Sequence, residues 1–124
     1  MPENILHPYK SDTLRLKNFL LRFNMDSKNR LLLMAHSDTR SVADKDSNPE
    51  NHNKPIIGAN DGASGVSILM EIAKMLHNNP MLHLGIDILL TDGEDIGKQG
   101  DSENFGLGMK EFSKHIPEPI PRAA

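Results

Sequence analysis

Residues 84–97 read LGIDILLTDGEDIG. The first eight form an apolar run of strand length, the pattern of a strand buried within a sheet. Glycine and acidic residues follow at once, with Glu94 and Asp95 adjacent. Charged groups at the mouth of an apolar core are costly unless they are paired or hold a metal. The reason for two neighbouring carboxylates here must come from the segments that fold beside them.

Upstream, RLLLMA at residues 30–35 is a second short apolar run and reads as a strand buried on both faces. Between the two runs lies ASGVSILMEIAKMLHNN, residues 63–79. Val66, Leu69, Met70, Ala73 and Leu76 recur at helical spacing, and Ile68, Ile72 and Met75 widen the apolar face. The methionines read as core filler. Asp61 or Ser64 can cap the helix start, and Asn78, Asn79 and Pro80 end it. Strand, helix and strand make a βαβ unit with parallel strands. Both strands then finish at one sheet edge, and in open α/β sheets ligands bind at that carboxyl edge.

The remaining segments are plainer. Residues 13–23, TLRLKNFLLRF, read as one strand, and 24–29 as a turn. Residues 36–60 are polar and rich in Asp, Asn, Lys and Pro; loops this long in small domains are usually functional. Residues 107–115 form an amphipathic helix, with Leu107, Phe112 and Lys114 on different faces. The Pro-rich tail, 117–124, cannot continue it.

The chain has 124 residues, which fits one domain, 1–124, with a core of useful size. A net charge of −3 with no long basic run speaks against nucleic acid and anionic membrane as partners. The aromatic fraction of 4% leaves few platforms for stacking single-stranded bases. No cysteine is present, so disulfides, thiolate zinc sites and cysteine nucleophiles are excluded. The N-terminal residues lack the apolar core of a signal peptide, and no stretch reaches transmembrane length. Neither observation assigns a compartment, and oligomeric state is left open.

The βαβ topology gathers HSDTR, GANDGASG and TDGEDIG at one edge. Each segment alone has an ordinary explanation: a solvated histidine, a helix-capping aspartate, a pair of turn carboxylates. Together, His36, Asp38, Asp61, Glu94 and Asp95 are hard or borderline ligands, and that many facing acids call for a cation.

MAHSDTR, GANDGASGVSILMEIAKML and IDILLTDGEDIG, in this order, resemble the zinc aminopeptidase and glutaminyl cyclase family over about residues 14–116. The implied fold is α/β: a mixed, mostly parallel sheet flanked by helices, a zinc exopeptidase-like three-layer sandwich, here truncated. The resemblance implies Asp61 and Asp95 as zinc ligands and Glu94 as the proton carrier. It implies His36 as a ligand of a second metal in the two-zinc peptidases, with Asp61 bridging, and Asp38 as a support behind the ligands. One zinc ion, or two, is the expected cofactor, and a peptide or protein N-terminus the expected substrate.

The branch is read from the residues after Asp95. Twelve residues, IGKQGDSENFGL, stand between Asp95 and Gly108. This insert, with Asp101–Ser102 in it, is similar to the bacterial glutaminyl-peptide cyclotransferase-like branch, so cyclisation of N-terminal glutamine is the first expectation. Aminopeptidase action, and an inactive fragment keeping only the fold core, are the alternatives. Two features depart from the family: Met109 replaces a serine, and the later histidine ligand has no good match, because His115 reads as a surface residue. Robust activity is therefore expected of the longer relative. His52, His77 and His83 read as solvated, and Arg40 as a partner for Asp44 or Asp46.

Overall fold

Asn18 separates two strands that belong to different sheets, where the sequence pattern suggests one continuous strand. The structure, a computed structural model, describes residues 2–80, 83–98 and 100–118. Strands β1 (Pro2–Leu6) and β2 (Thr13–Lys17) pair antiparallel as a hairpin of their own. Strand β3 (Phe19–Phe23) enters a second, three-stranded sheet of order β3-β5-β4. The chain switches sheets because the buried Asn18 side chain is held on both sides. Its Nδ2 donates to the Gly108 carbonyl at 2.9 Å, and its Oδ1 accepts the Asp92 N–H at 3.1 Å. Lys17 N–H donates to Asp92 Oδ2 at 3.0 Å. These partners lie more than 70 residues away, so the local pattern carries no sign of the break.

The expected βαβ unit is present. Strand β4 (Arg30–His36) runs parallel to β5 (Gly85–Thr91), with His36 opposite Thr91, and helix α1 (Ala63–Asn78) connects them. Strand β3 pairs antiparallel on the other side of β5. Helix α2 (Leu107–Lys114) follows. Short 3₁₀ turns occur at Pro49–Asn51 and Ser102–Asn104. Among the described residues, no helix is long and apolar enough to cross a membrane.

Alternation along β5 builds two cores, giving three layers in the mixed α/β fold. Ile86 and Ile88 pack with Leu69 of α1 on one face, joined by Phe23, Leu33, Ala35, Ile72, Ala73 and Leu76. Leu89 packs on Phe112 of α2 on the other, with Leu20, Leu32 and Met109. Leu89 and Phe112 are fully buried, each contributing about 1.5–3 kcal/mol by removal from water. Gly108, in the first turn of α2, lies so close to the Asp92 carbonyl that a β-carbon there would sit 2.1 Å from it.

Several readings of the sequence are corrected here. Strand β4 is not covered on both faces: Leu31 and Met34 are 47% and 45% exposed, because β4 lies at the edge of the described sheet. Met70 and Met75 are not core filler; they are 64% and 59% exposed, with Ile68, on the side of α1 turned away from the sheet. Neither Asp61 nor Ser64 caps α1. Its N-cap is Gly62, with no side-chain cap, and the Ser64 hydroxyl bonds back to the Asn60 carbonyl instead. Most of the Pro-rich tail, from residue 119, lies outside the described residues.

Candidate metal centre

The parallel pairing of β4 and β5 carries both strand ends to one edge, where β4 delivers His36 and β5 leads into Asp92–Asp95. Ser37 N–H bonds the Thr91 carbonyl at 2.7 Å, extending the pairing one residue past the strands. The residues before α1 arrive at the same place. Thr39 Oγ1 donates to the Asp61 carbonyl at 2.8 Å, tying the long loop to the helix start. Gly62 makes the approach possible, since a β-carbon there would lie 2.6 Å from the His36 carbonyl and 2.9 Å from its ring.

The structure brings His36, Asp61 and Asp95 together, with one ligand atom of each within 4.8 Å of the others. His36 Nε2 lies 2.8 Å from Asp61 Oδ1. His36 Nδ1 is buried without a hydrogen-bond partner among the described residues, 3.7 Å from Asp38 Oδ1. Asp38 stands behind the trio. Its two oxygens accept the backbone N–H groups of Glu94 and Asp95, at 3.0 and 3.1 Å. Those bonds fix the direction of the acidic pair. Glu94 stays outside the trio, with its carboxylate beside Gly106. Burial pushes the Asp95 carboxyl above its ordinary value, and the nearby Asp61 charge adds to the rise, while His36 opposes it.

An imidazole and two carboxylates are ligands that zinc takes readily. The trio's ligand atoms lie within 4.8 Å of one another, and the buried His36 Nδ1 beside them lacks a hydrogen-bond partner among the described residues. The residues therefore fit a divalent metal.

Around the centre, Arg40 pairs with Asp44, not with Asp46. Its Nε and Nη2 reach the two Asp44 oxygens at 2.5 and 2.6 Å, and Nη1 donates to the Gly97 carbonyl at 2.8 Å. The Arg40 hydrogen bonds hold the Asp44 carboxyl below its usual range. His77, His83 and His115 lie outside the trio and are exposed; His52 also lies outside it but is half-buried, its Nε2 2.8 Å from the Asp46 carbonyl oxygen. Asp101 of the insert accepts from the Tyr9 hydroxyl and from Asn104, both at 2.6 Å, and these bonds keep its carboxyl low. Tyr9 has no counterpart among the residues picked out from the sequence. The available signal was HPYKSD, residues 7–12, between two short alternating segments, the mark of a hairpin.

The profile of Peptidase family M28 matches residues 18–115. The alkaline phosphatase isozyme conversion protein of Escherichia coli (strain K12) is 33% identical over 86 residues, which cover 68% of this chain and 24% of that protein. Porphyromonas gingivalis glutaminyl cyclase superposes with a TM-score of 0.91 at 37% identity, covering 99% of this chain and 42% of that one. A Zn-dependent exopeptidase from Parabacteroides distasonis gives 0.84 at 33% identity, covering 96% and 42%. The chain thus spans about a quarter to two fifths of the length of these relatives. By the profile match over most of its length, the chain belongs to Peptidase family M28.

Proposed function

We propose that this chain forms the metal-binding part of a zinc enzyme acting on peptide N-termini, and that the reaction is cyclisation of an N-terminal glutamine with release of ammonia. The observation that carries the metal site is the convergence of His36, Asp61 and Asp95 within 4.8 Å, braced by Asp38. In this reading Asp61 and Asp95 hold zinc, and residues 1–124 are one part of a catalytic domain. When bound, zinc supplies a Lewis acid that polarises a carbonyl oxygen.

The chain's own residues then account for the rest. The substrate α-nitrogen forms a bond to the side-chain amide carbon, and the bond from that carbon to its amide nitrogen breaks. Glu94 takes the proton from the α-nitrogen and returns it to the departing nitrogen, which leaves as ammonia. The reaction is intramolecular, so holding the substrate folded supplies much of the rate. An open cleft of about 550 Å³ beside Asp95, lined by Arg40, Gly100, Asp101, Ser102 and Phe105, offers room for that folded side chain. Four of these lining residues belong to the twelve-residue insert, whose resemblance to the cyclase-like branch favours cyclisation.

Aminopeptidase action is the second reading, and one observation favours it. His36 Nε2 lies 2.8 Å from Asp61 Oδ1, so these two residues would hold a second metal ion, which would supply an activated water for peptide hydrolysis. Incubating the full-length, zinc-loaded protein with a glutaminyl peptide and a leucyl peptide separates the readings. Pyroglutamate and ammonia from the first peptide are expected. Free leucine with no pyroglutamate overturns cyclisation and leaves Glu94 as a base for water.

A further inference from the structure

The β1–β2 hairpin stands apart from the central sheet, and the chemistry above makes no use of it. Its connecting segment nevertheless reaches the insert that follows the acidic pair. The Tyr9 hydroxyl donates to Asp101 Oδ2 at 2.6 Å and accepts the Lys98 N–H at 2.9 Å. The Lys98 ammonium lies 4.4 Å from the centre of the Tyr9 ring, within cation–π range. Asn104 Nδ2 donates to the same Asp101 oxygen at 2.6 Å. From the opposite side Arg40 bonds the Gly97 carbonyl at 2.8 Å and stands 5.9 Å from the Phe105 ring centre. The insert is therefore gripped by two loops distant in sequence. One comes from the N-terminal hairpin and the other from the β4–α1 connection.

The gripped residues have a position that matters. Gly100, Asp101, Ser102 and Phe105 form one wall of the cleft at Asp95. Tyr9 itself, with Lys10 and Lys98, lines an adjoining cleft of about 640 Å³ that also reaches Arg40 and Asp95. Without the Tyr9 hydroxyl, Asp101 keeps Asn104 within its own turn but loses its side-chain bond to the hairpin. The wall would then have to be ordered whenever a substrate arrives, at the expense of binding free energy.

We propose that Tyr9 is a positioning residue for the substrate: through Asp101 and the Lys98 amide it holds the insert wall of the cleft in its binding form. The inference rests on the site being one for peptide N-termini. It adds that the hairpin, and not the central sheet alone, determines how tightly the peptide is held.

The test uses the full-length protein and its Tyr9→Phe variant, which keeps the ring over Lys98 and removes only the hydroxyl. Two readouts are taken: Kd for a fluorescent N-terminal glutaminyl peptide, and kcat and KM for the same peptide. We expect Kd and KM to rise about five- to tenfold, as for a lost preorganising hydrogen bond to a charged group, with kcat nearly constant. Asp101→Ala should weaken binding similarly, and adding Tyr9→Phe to it should cost less than in the wild-type protein, because the two substitutions share the Tyr9–Asp101 contact. An unchanged Kd in Tyr9→Phe overturns the proposal, as does a Tyr9→Phe effect that adds in full to Asp101→Ala. A lowered melting temperature with Kd unchanged assigns Tyr9 to stability alone and also overturns it. If the wild-type protein binds the peptide yet forms no pyroglutamate and frees no N-terminal residue, the proposed reaction fails while the Kd comparison still decides the role of Tyr9.

Discussion

Arg30 and Asp87 form a fully buried, two-pronged pair: Arg30 Nε donates to Asp87 Oδ2 at 2.8 Å and Nη2 to Oδ1 at 2.7 Å. Asp87 sits in the middle of the central strand β5, and Arg30 opens the edge strand β4. Arg22 of β3 adds a third bond to Oδ1 at 3.1 Å. One carboxylate thus ties all three strands together. Arg30 also donates to the carbonyls of Asn24 and Phe23, locking the turn between β3 and β4.

Removing one partner leaves a buried, uncompensated charge. Asp87→Ala is expected to lower stability by about 3–5 kcal/mol, read as a shift of the urea midpoint at unchanged slope. A loss under about 1 kcal/mol would show that the pair is not a structural centre of the sheet.

The same pair sets acid sensitivity. Burial by itself would raise the Asp87 carboxyl, but hydrogen bonds from Arg30 and Arg22 outweigh it and hold the group below its ordinary value. A carboxyl lowered in the folded state contributes stability that is fully present above the unfolded value of about 3.9 and is lost as pH falls through the folded one. Unfolding followed from pH 7 to pH 2 should therefore show this contribution disappearing only below about pH 4. In Asp87→Asn that part of the acid dependence should be missing.

Much of this architecture was legible because it rests on local periodicity. The 3.6-residue pattern gives α1, two apolar runs give β4 and β5, and parallel strands must end at one edge. That is enough to place His36, Asp61 and Asp95 near one another. What escaped depends on distant partners. Asn18 breaks a strand because of Asp92 and Gly108, and Asp87 disappears inside an apolar run because its partners lie on two other strands. The exposure of Leu31 and Met34 follows from strand order, which no local pattern carries. Tyr9 reaches Asp101 and Lys98, 92 and 89 residues away.

Asp38 offers a test of how the centre is braced. Its carboxylate accepts two backbone N–H groups, so Asp38→Ala leaves both without an acceptor and frees the Glu94–Asp95 turn. Zinc affinity is expected to fall about 10–100-fold, the usual effect of losing a group that orients ligands. Competition with a chelating dye measures it, and equal affinity in the variant would show that Asp38 does not brace the ligands.

The central claim is that His36, Asp61 and Asp95 form one metal site, and calorimetric titration of the apo protein with zinc tests it most directly. Saturable zinc binding is expected for the wild-type protein. Asp61→Asn and Asp95→Asn should each weaken it at least about tenfold, because each removes a charged ligand. His36→Ala should weaken it too, or abolish a second binding step if two ions bind. No saturable binding, or an affinity unchanged in Asp61→Asn and Asp95→Asn, would contradict the account.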